Sequence, residues 1–154
     1  MGVEVPMASI LLVAHAPLAS ALLEVATHAY ADCRREVLAV DVPATASLEA
    51  AAEMVSRALK ALPGPEVLVL TDAFGATPCN AAMAVADGVQ ARVVTGVNVP
   101  MVWRALCYGH LPLAELLTRA ADGGRQGIMQ VASPRRQNQP NRLVTDDPEQ
   151  HSDQ

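Results

Sequence analysis

ASILLVAH, residues 8–15, is the stretch on which the rest of the chain turns. Ile10-Leu11-Leu12-Val13-Ala14 is an unbroken apolar run, too short for an ordinary helix and closed by a histidine. An apolar run that does not alternate reads as a strand covered on both faces, the signature of a parallel sheet under helices. Working outward, residues 18–32 place Leu18, Leu22, Val25 and Ala29 at helical spacing. EVLAVDV (36–42) reads as a second strand, and Ser47 as the N-cap of a helix over 48–62 that Pro63-Gly64-Pro65 ends. EVLVLTD (66–72) is a third strand; Thr77-Pro78 opens a helix that stops near Asp87-Gly88; QARVVT (90–95) is a fourth strand. Helices follow over 98–107 and 112–122, and GIMQV (127–131) reads as a short last strand. The alternation predicts an α/β, three-layer αβα fold with a four-stranded, mainly parallel sheet, right-handed crossovers and a short C-terminal strand.

Composition narrows the setting. The chain has 154 residues, 51% of them apolar but only 3% aromatic, so alanine, valine and leucine must build the core. Residues 1–132 are expected to form one domain. Residues 133–154, rich in Pro, Gln, Asn, Asp and Arg, are expected to be a disordered tail. The net charge is -5 and the Lys and Arg are scattered, which argues against nucleic acid as a partner. No apolar run is long enough to span a bilayer, and residues 1–6 lack the features of a signal peptide. Cys33, Cys79 and Cys107 form no CxxC pair. Neither a metal site nor a disulfide framework is expected, and a cytoplasmic location is.

In open parallel sheets the chemistry gathers beyond the carboxyl ends of the strands. His15 follows strand one, Asp72 strand three, and Gly96-Val97-Asn98-Val99-Pro100-Met101 strand four, so the three segments should meet on one rim. A neutral imidazole can attack phosphorus near pH 7. A carboxylate on its other nitrogen fixes the tautomer and steadies the ring as charge develops. His15 and Asp72 are therefore the candidate catalytic pair. Gly75, Ala76 and Thr77 are the candidate phosphate-binding turn, with Thr77 as N-cap and Pro78 as first helical residue, because a helix start presents amides to an anion. Taken singly, each feature has a commonplace explanation, a loop histidine, a turn aspartate or an ordinary capped helix. His28 reads as a helix-face residue between Glu24 and Asp32, His110 as a helix-end residue, and His151 lies in the tail. Cys79, Met101 and Trp103 read as packing residues.

Together, ILLVAH, Asp72-Ala73-Phe74-Gly75-Ala76-Thr77-Pro78-Cys79-Asn80 and Gly96-Val97-Asn98-Val99-Pro100-Met101 resemble, in order, three signature segments of the mannose-family IIA domain of the sugar phosphotransferase system (PTS). The resemblance covers about residues 8–131 and needs no cofactor. It implies a phosphoryl carrier that accepts phosphate from the phosphocarrier HPr on His15, at Nε2, with Nδ1–H on Asp72. The group then passes to a IIB domain or another acceptor, which here would be a separate protein. It also implies a homodimer in which 128–131 cross to the partner's sheet. Ala16 and Ala76 stand where the family pattern has glycine. An alternative within the resemblance is a stand-alone regulatory IIA domain whose phosphorylation state controls binding to target proteins.

Other α/β readings fit less well. The related phosphotransfer domain that serves dihydroxyacetone kinase lacks the Gly-Val-Asn-x-Pro-Met segment. A receiver domain would need an acidic pair where His15 stands, and a flavodoxin-like module a Ser/Thr/Gly-rich loop there. GxGxxG and GxxxxGK[ST] are both absent.

Overall fold

The computed structural model describes residues 7–29, 31 and 36–132. The expected tail, Cys33 and His151 lie outside them. The elements run β1 (Ser9–His15), α1 (Leu18–Ala29), β2 (Val37–Val42), α2 (Leu48–Ala61), β3 (Val67–Thr71), α3 (Thr77–Val85), β4 (Ala91–Val94), α4 (Val99–Cys107) and α5 (Leu113–Gln126). The four strands form one parallel sheet in the order β2-β1-β3-β4. β1 and β3 lie at its centre, and Ile10–Val13 and Leu68–Leu70 are wholly buried. This is the α/β fold expected.

Two apolar layers sandwich the sheet. Ile10, Leu12, Leu68 and Leu70 face α1, α4 and α5, while Leu11, Val13, Val67 and Val69 face α2 and α3. Residues of opposite parity along one strand thus enter opposite cores, which is why the strands show no polar alternation. Ser47 caps α2, its Oγ accepting from the Ala50 amide at 3.1 Å.

Several expected details differ. α1 buries Ala19, Leu22 and Ala26, while Leu18 and Val25 are about 40% exposed. Its small alanines let it lie close to the sheet. α3 ends at Val85 because Asp87 starts a turn there, its Oδ1 accepting from the amides of Val89, Gln90 and Ala91. α5 runs on to Gln126, through two glycines that read as breakers. Their role is tertiary: a Cβ at Gly123 would sit 2.8 Å from Arg104 Cβ, and one at Gly124 would sit 2.7 Å from Met101 Cε. The glycines let α5 press against α4. The short last strand expected over 127–131 is not formed in this chain. Gly127 closes α5, the Ile128 amide donates to the Arg125 carbonyl, and residues 128–132 follow without regular structure.

Candidate active site

The order β2-β1-β3-β4 places a reversal of winding between β1 and β3. The crossover through α1 leaves β1 toward β2, and the next, through α2, returns past β1 to β3. Adjacent strands whose connections depart in opposite directions leave a crevice at their carboxyl ends. His15 is the last residue of β1, and Asp72 follows the last residue of β3.

Their geometry is close. The His15 amide donates to Asp72 Oδ2 at 2.9 Å, and His15 Nδ1 lies 2.6 Å from the same oxygen. The Ala73 amide donates to Oδ1 at 2.8 Å. A carboxylate can only accept here, so Nδ1 carries the hydrogen and the neutral ring keeps its lone pair on Nε2. The His15 side chain is 48% exposed and that of Asp72 13%, so the ring is open to solvent while its holder is sheltered. Burial raises the Asp72 pKa, but the bonds from the His15 amide, the His15 ring and the Ala73 amide outweigh it and leave the carboxyl below its ordinary 3.8.

The third segment joins the same rim through the backbone. The Gly96 amide donates to the Asp72 carbonyl at 2.9 Å, and the Val97 amide to the Thr71 carbonyl at 2.9 Å. Asn98 caps α4, its Oδ1 accepting from the Met101 amide, and its Nδ2 donates to the Gly124 carbonyl at 3.1 Å. That side chain therefore ties α4 to α5.

The turn after Asp72 differs by one residue from expectation. Ala76, extended at φ -82° and ψ 164°, is the N-cap of α3, and Thr77 is its first helical residue. Ala76 has no side chain with which to cap, so among the described residues the first-turn amides of Thr77 and Cys79 have no intrahelical or side-chain acceptor. The one bend that needs a left-handed residue falls on Gly75, at φ +82°, whose carbonyl accepts from Asn80 Nδ2 at 3.1 Å. Neither Ala16 nor Ala76 has a positive φ, so the two alanines sit in this backbone without strain.

Other candidates are placed elsewhere. Cys79 is buried beside Met83, their sulfurs 3.8 Å apart, and Met101 is buried in the α1-side core. Trp103 is partly exposed, and the His110 ring lies 6.4 Å from that of Tyr108. His28 is exposed. Among the described residues no group of His, Cys, Asp and Glu could hold a metal ion, and no helix is long and apolar enough to cross a membrane. Sequence reasoning missed one pair on this rim. Asp41, in β2, accepts from the Ser20 amide at 3.0 Å and from the Ser20 hydroxyl. The only signal was an acidic residue inside an otherwise apolar strand, VLAVDV.

Comparison with known proteins bears on the fold and the family. The mannose/sorbose-specific IIA subunit of the phosphotransferase system from Enterococcus faecalis superposes with a TM-score of 0.73 at 25% identity, covering 84% of this chain and 98% of that one. The phosphotransferase system component EIIA from Streptococcus agalactiae gives 0.71 at 23% identity, covering 80% and 97%. The PTS IIA protein associated with the fucose utilization operon of Streptococcus pneumoniae gives 0.60 at 22%, covering 80% and 96%. A search of curated proteins returns no match. The model of the EIIA-man family, described as the PTS system fructose IIA component, matches residues 9–118, and the chain belongs to that family.

Proposed function

We propose that the chain is a phosphoryl carrier whose acceptor atom is Nε2 of His15. The observation that carries this reading is the 2.6 Å contact between His15 Nδ1 and Asp72 Oδ2 on a half-exposed ring. The Nε2 lone pair attacks the phosphorus of a phosphorylated HPr-type protein. An N–P bond forms as the donor's bond to phosphorus breaks, its electron pair leaving on the donor. Nδ1 keeps its hydrogen, the ring gains positive charge, and the Asp72 carboxylate offsets that charge without taking the proton. The uncapped first turn of α3, after Gly75 and Ala76, offers the Thr77 amide to the phosphoryl oxygens. A IIB domain or other acceptor then removes the group by the same displacement in reverse. The setting is the cytoplasm, where such donors work.

The same reading includes a homodimer. β4 pairs only with β3 in the described sheet, so its outer edge is open. A groove of about 380 Å³, lined by Phe74, Cys79, Met83, Ala91, Val93 and Thr95, lies on one side of it. The Thr95 hydroxyl is buried there with no hydrogen-bond partner among the described residues. Ile128, Met129 and Val131 are each at least 70% exposed. A partner's segment 128–131 laid along β4 would cover both sets of groups.

The test is a phosphotransfer assay with phosphoenolpyruvate, enzyme I and HPr, followed by intact mass. One acid-labile phosphoryl group is expected, and none on His15→Ala. Uptake by that variant, or none by the parent with an active donor, overturns the reading.

A further inference from the structure

Resting on the assignment of His15 as acceptor, we infer that Asp41 is a second positioning residue of the site. It works from the side of the sheet opposite Asp72's strand. β1 has two neighbours, and each sends one aspartate to the rim: β3 is followed by Asp72, and β2 contains Asp41. In register Ala14 lies opposite Asp41, and His15 opposite Val42. The link between His15 and α1 is only Ala16-Pro17, and β2 holds its start and, beyond its end, the first turn of α1. The Ala16 amide donates to the Val42 carbonyl at 2.9 Å. The Ser20 amide, in the first turn of α1, donates to Asp41 Oδ1 at 3.0 Å, and the Ser20 hydroxyl donates to Oδ2.

Asp41 thereby does what no residue of α1 does. The first turn of α1 contains no acidic residue, and Pro17, which precedes it, has no side-chain acceptor. The cap comes instead from the neighbouring strand, and its charge suits the positive end of the helix dipole. Because α1 begins three residues after His15, movement of its first turn passes directly into the β1 exit. His15 also holds Asp72 with its own amide, so a shift of that backbone moves the ring and its carboxylate partner apart. Among the described residues Asp41 bonds Ser20 and not the His15 ring; it acts through the backbone that carries the ring.

The experiment measures the rate of phosphoryl uptake from phosphorylated HPr against donor concentration for the parent, Asp41→Ala, Asp41→Asn and the Ser20→Ala/Asp41→Ala double variant. Thermal unfolding of each is recorded so that rates refer to folded protein. Asp41→Ala should lower the saturating rate about tenfold, with the half-saturating donor concentration unchanged within about twofold. Asp41→Asn, which can still accept from the Ser20 amide, should recover most of the loss. Ser20→Ala should cost nothing further once Asp41 is gone, since both act through one contact. A parent-like rate per folded molecule in Asp41→Ala overturns the inference, as does a change confined to half-saturation. No uptake by the parent strikes the assignment of His15 instead.

Discussion

At the scale of single residues, the site is a histidine whose orientation is fixed by one carboxylate with two of its bonds on the same residue. Asp72→Asn keeps the shape and removes the charge. It should slow uptake by about a hundredfold, with circular dichroism unchanged, because an amide can present its NH₂ to Nδ1 and select the wrong tautomer. The depressed Asp72 pKa also has a signed consequence for stability. A carboxyl whose folded value lies below its unfolded one stabilises the fold above the unfolded value and loses that contribution as pH falls through the folded value. The parent should therefore unfold at higher temperature than Asp72→Asn at neutral pH, and the gap should close as pH falls below 3.8. A gap that persists at low pH would mean that charge is not what Asp72 contributes. This pair was legible in the sequence because each partner stands at a strand end, and a parallel sheet brings such ends to one rim. Asp41 was not legible, because its one local mark is an acidic residue in an apolar strand and neither it nor its partner Ser20 stands beyond a strand end.

At the scale of elements, the contact of α4 with α5 explains why a helix was underestimated. Gly123 and Gly124 weaken α5 locally by about 1 kcal/mol each relative to alanine, and a local reading ends the helix there. They are kept inside it by the closeness of α4, which residue propensities do not encode. Their two positions differ in a testable way. A methyl at Gly123 meets Arg104 Cβ at 2.8 Å, an atom near the backbone, whereas one at Gly124 meets Met101 Cε, the end of a flexible side chain, at 2.7 Å and Met101 Cβ only at 3.2 Å. Gly123→Ala should lower stability by about 1–3 kcal/mol through overpacking, while Gly124→Ala should cost less than Gly123→Ala as Met101 swings aside. Urea unfolding of both variants checks the order, and equal losses would mean that the helices separate as a unit.

At the scale of the whole molecule, the open β4 edge is the feature that a single chain leaves unresolved. Ile128→Asp/Val131→Asp alters two exposed residues outside both cores, so the monomer fold should be retained while a dimer dissociates. Sedimentation of parent and variant decides it: a parent that is monomeric at tens of micromolar removes the dimer from the reading, and a variant that remains dimeric removes segment 128–131 from the interface. The sheet and its order of strands were readable because buried apolar runs and helical periodicity repeat in turn along 8–126. The fate of 127–131 was not, since whether an apolar run forms a strand depends on whether an edge is offered to it.

The reversal of winding between β1 and β3 has one more result. His15 and Asp72 are 57 residues apart in sequence, and they meet only after β2 and α2 have been threaded and β3 laid beside β1. Those two strands are also the most deeply buried in the sheet, and so the ones whose amides should exchange with solvent last. Fraying of α5 or of β4 leaves the pair assembled, while the openings that break it are those that dissolve the central strands. The folded-state imidazole signal of His15 in an NMR spectrum should thus vanish in step with global unfolding, making the proposed acceptor a built-in witness of the chain's integrity.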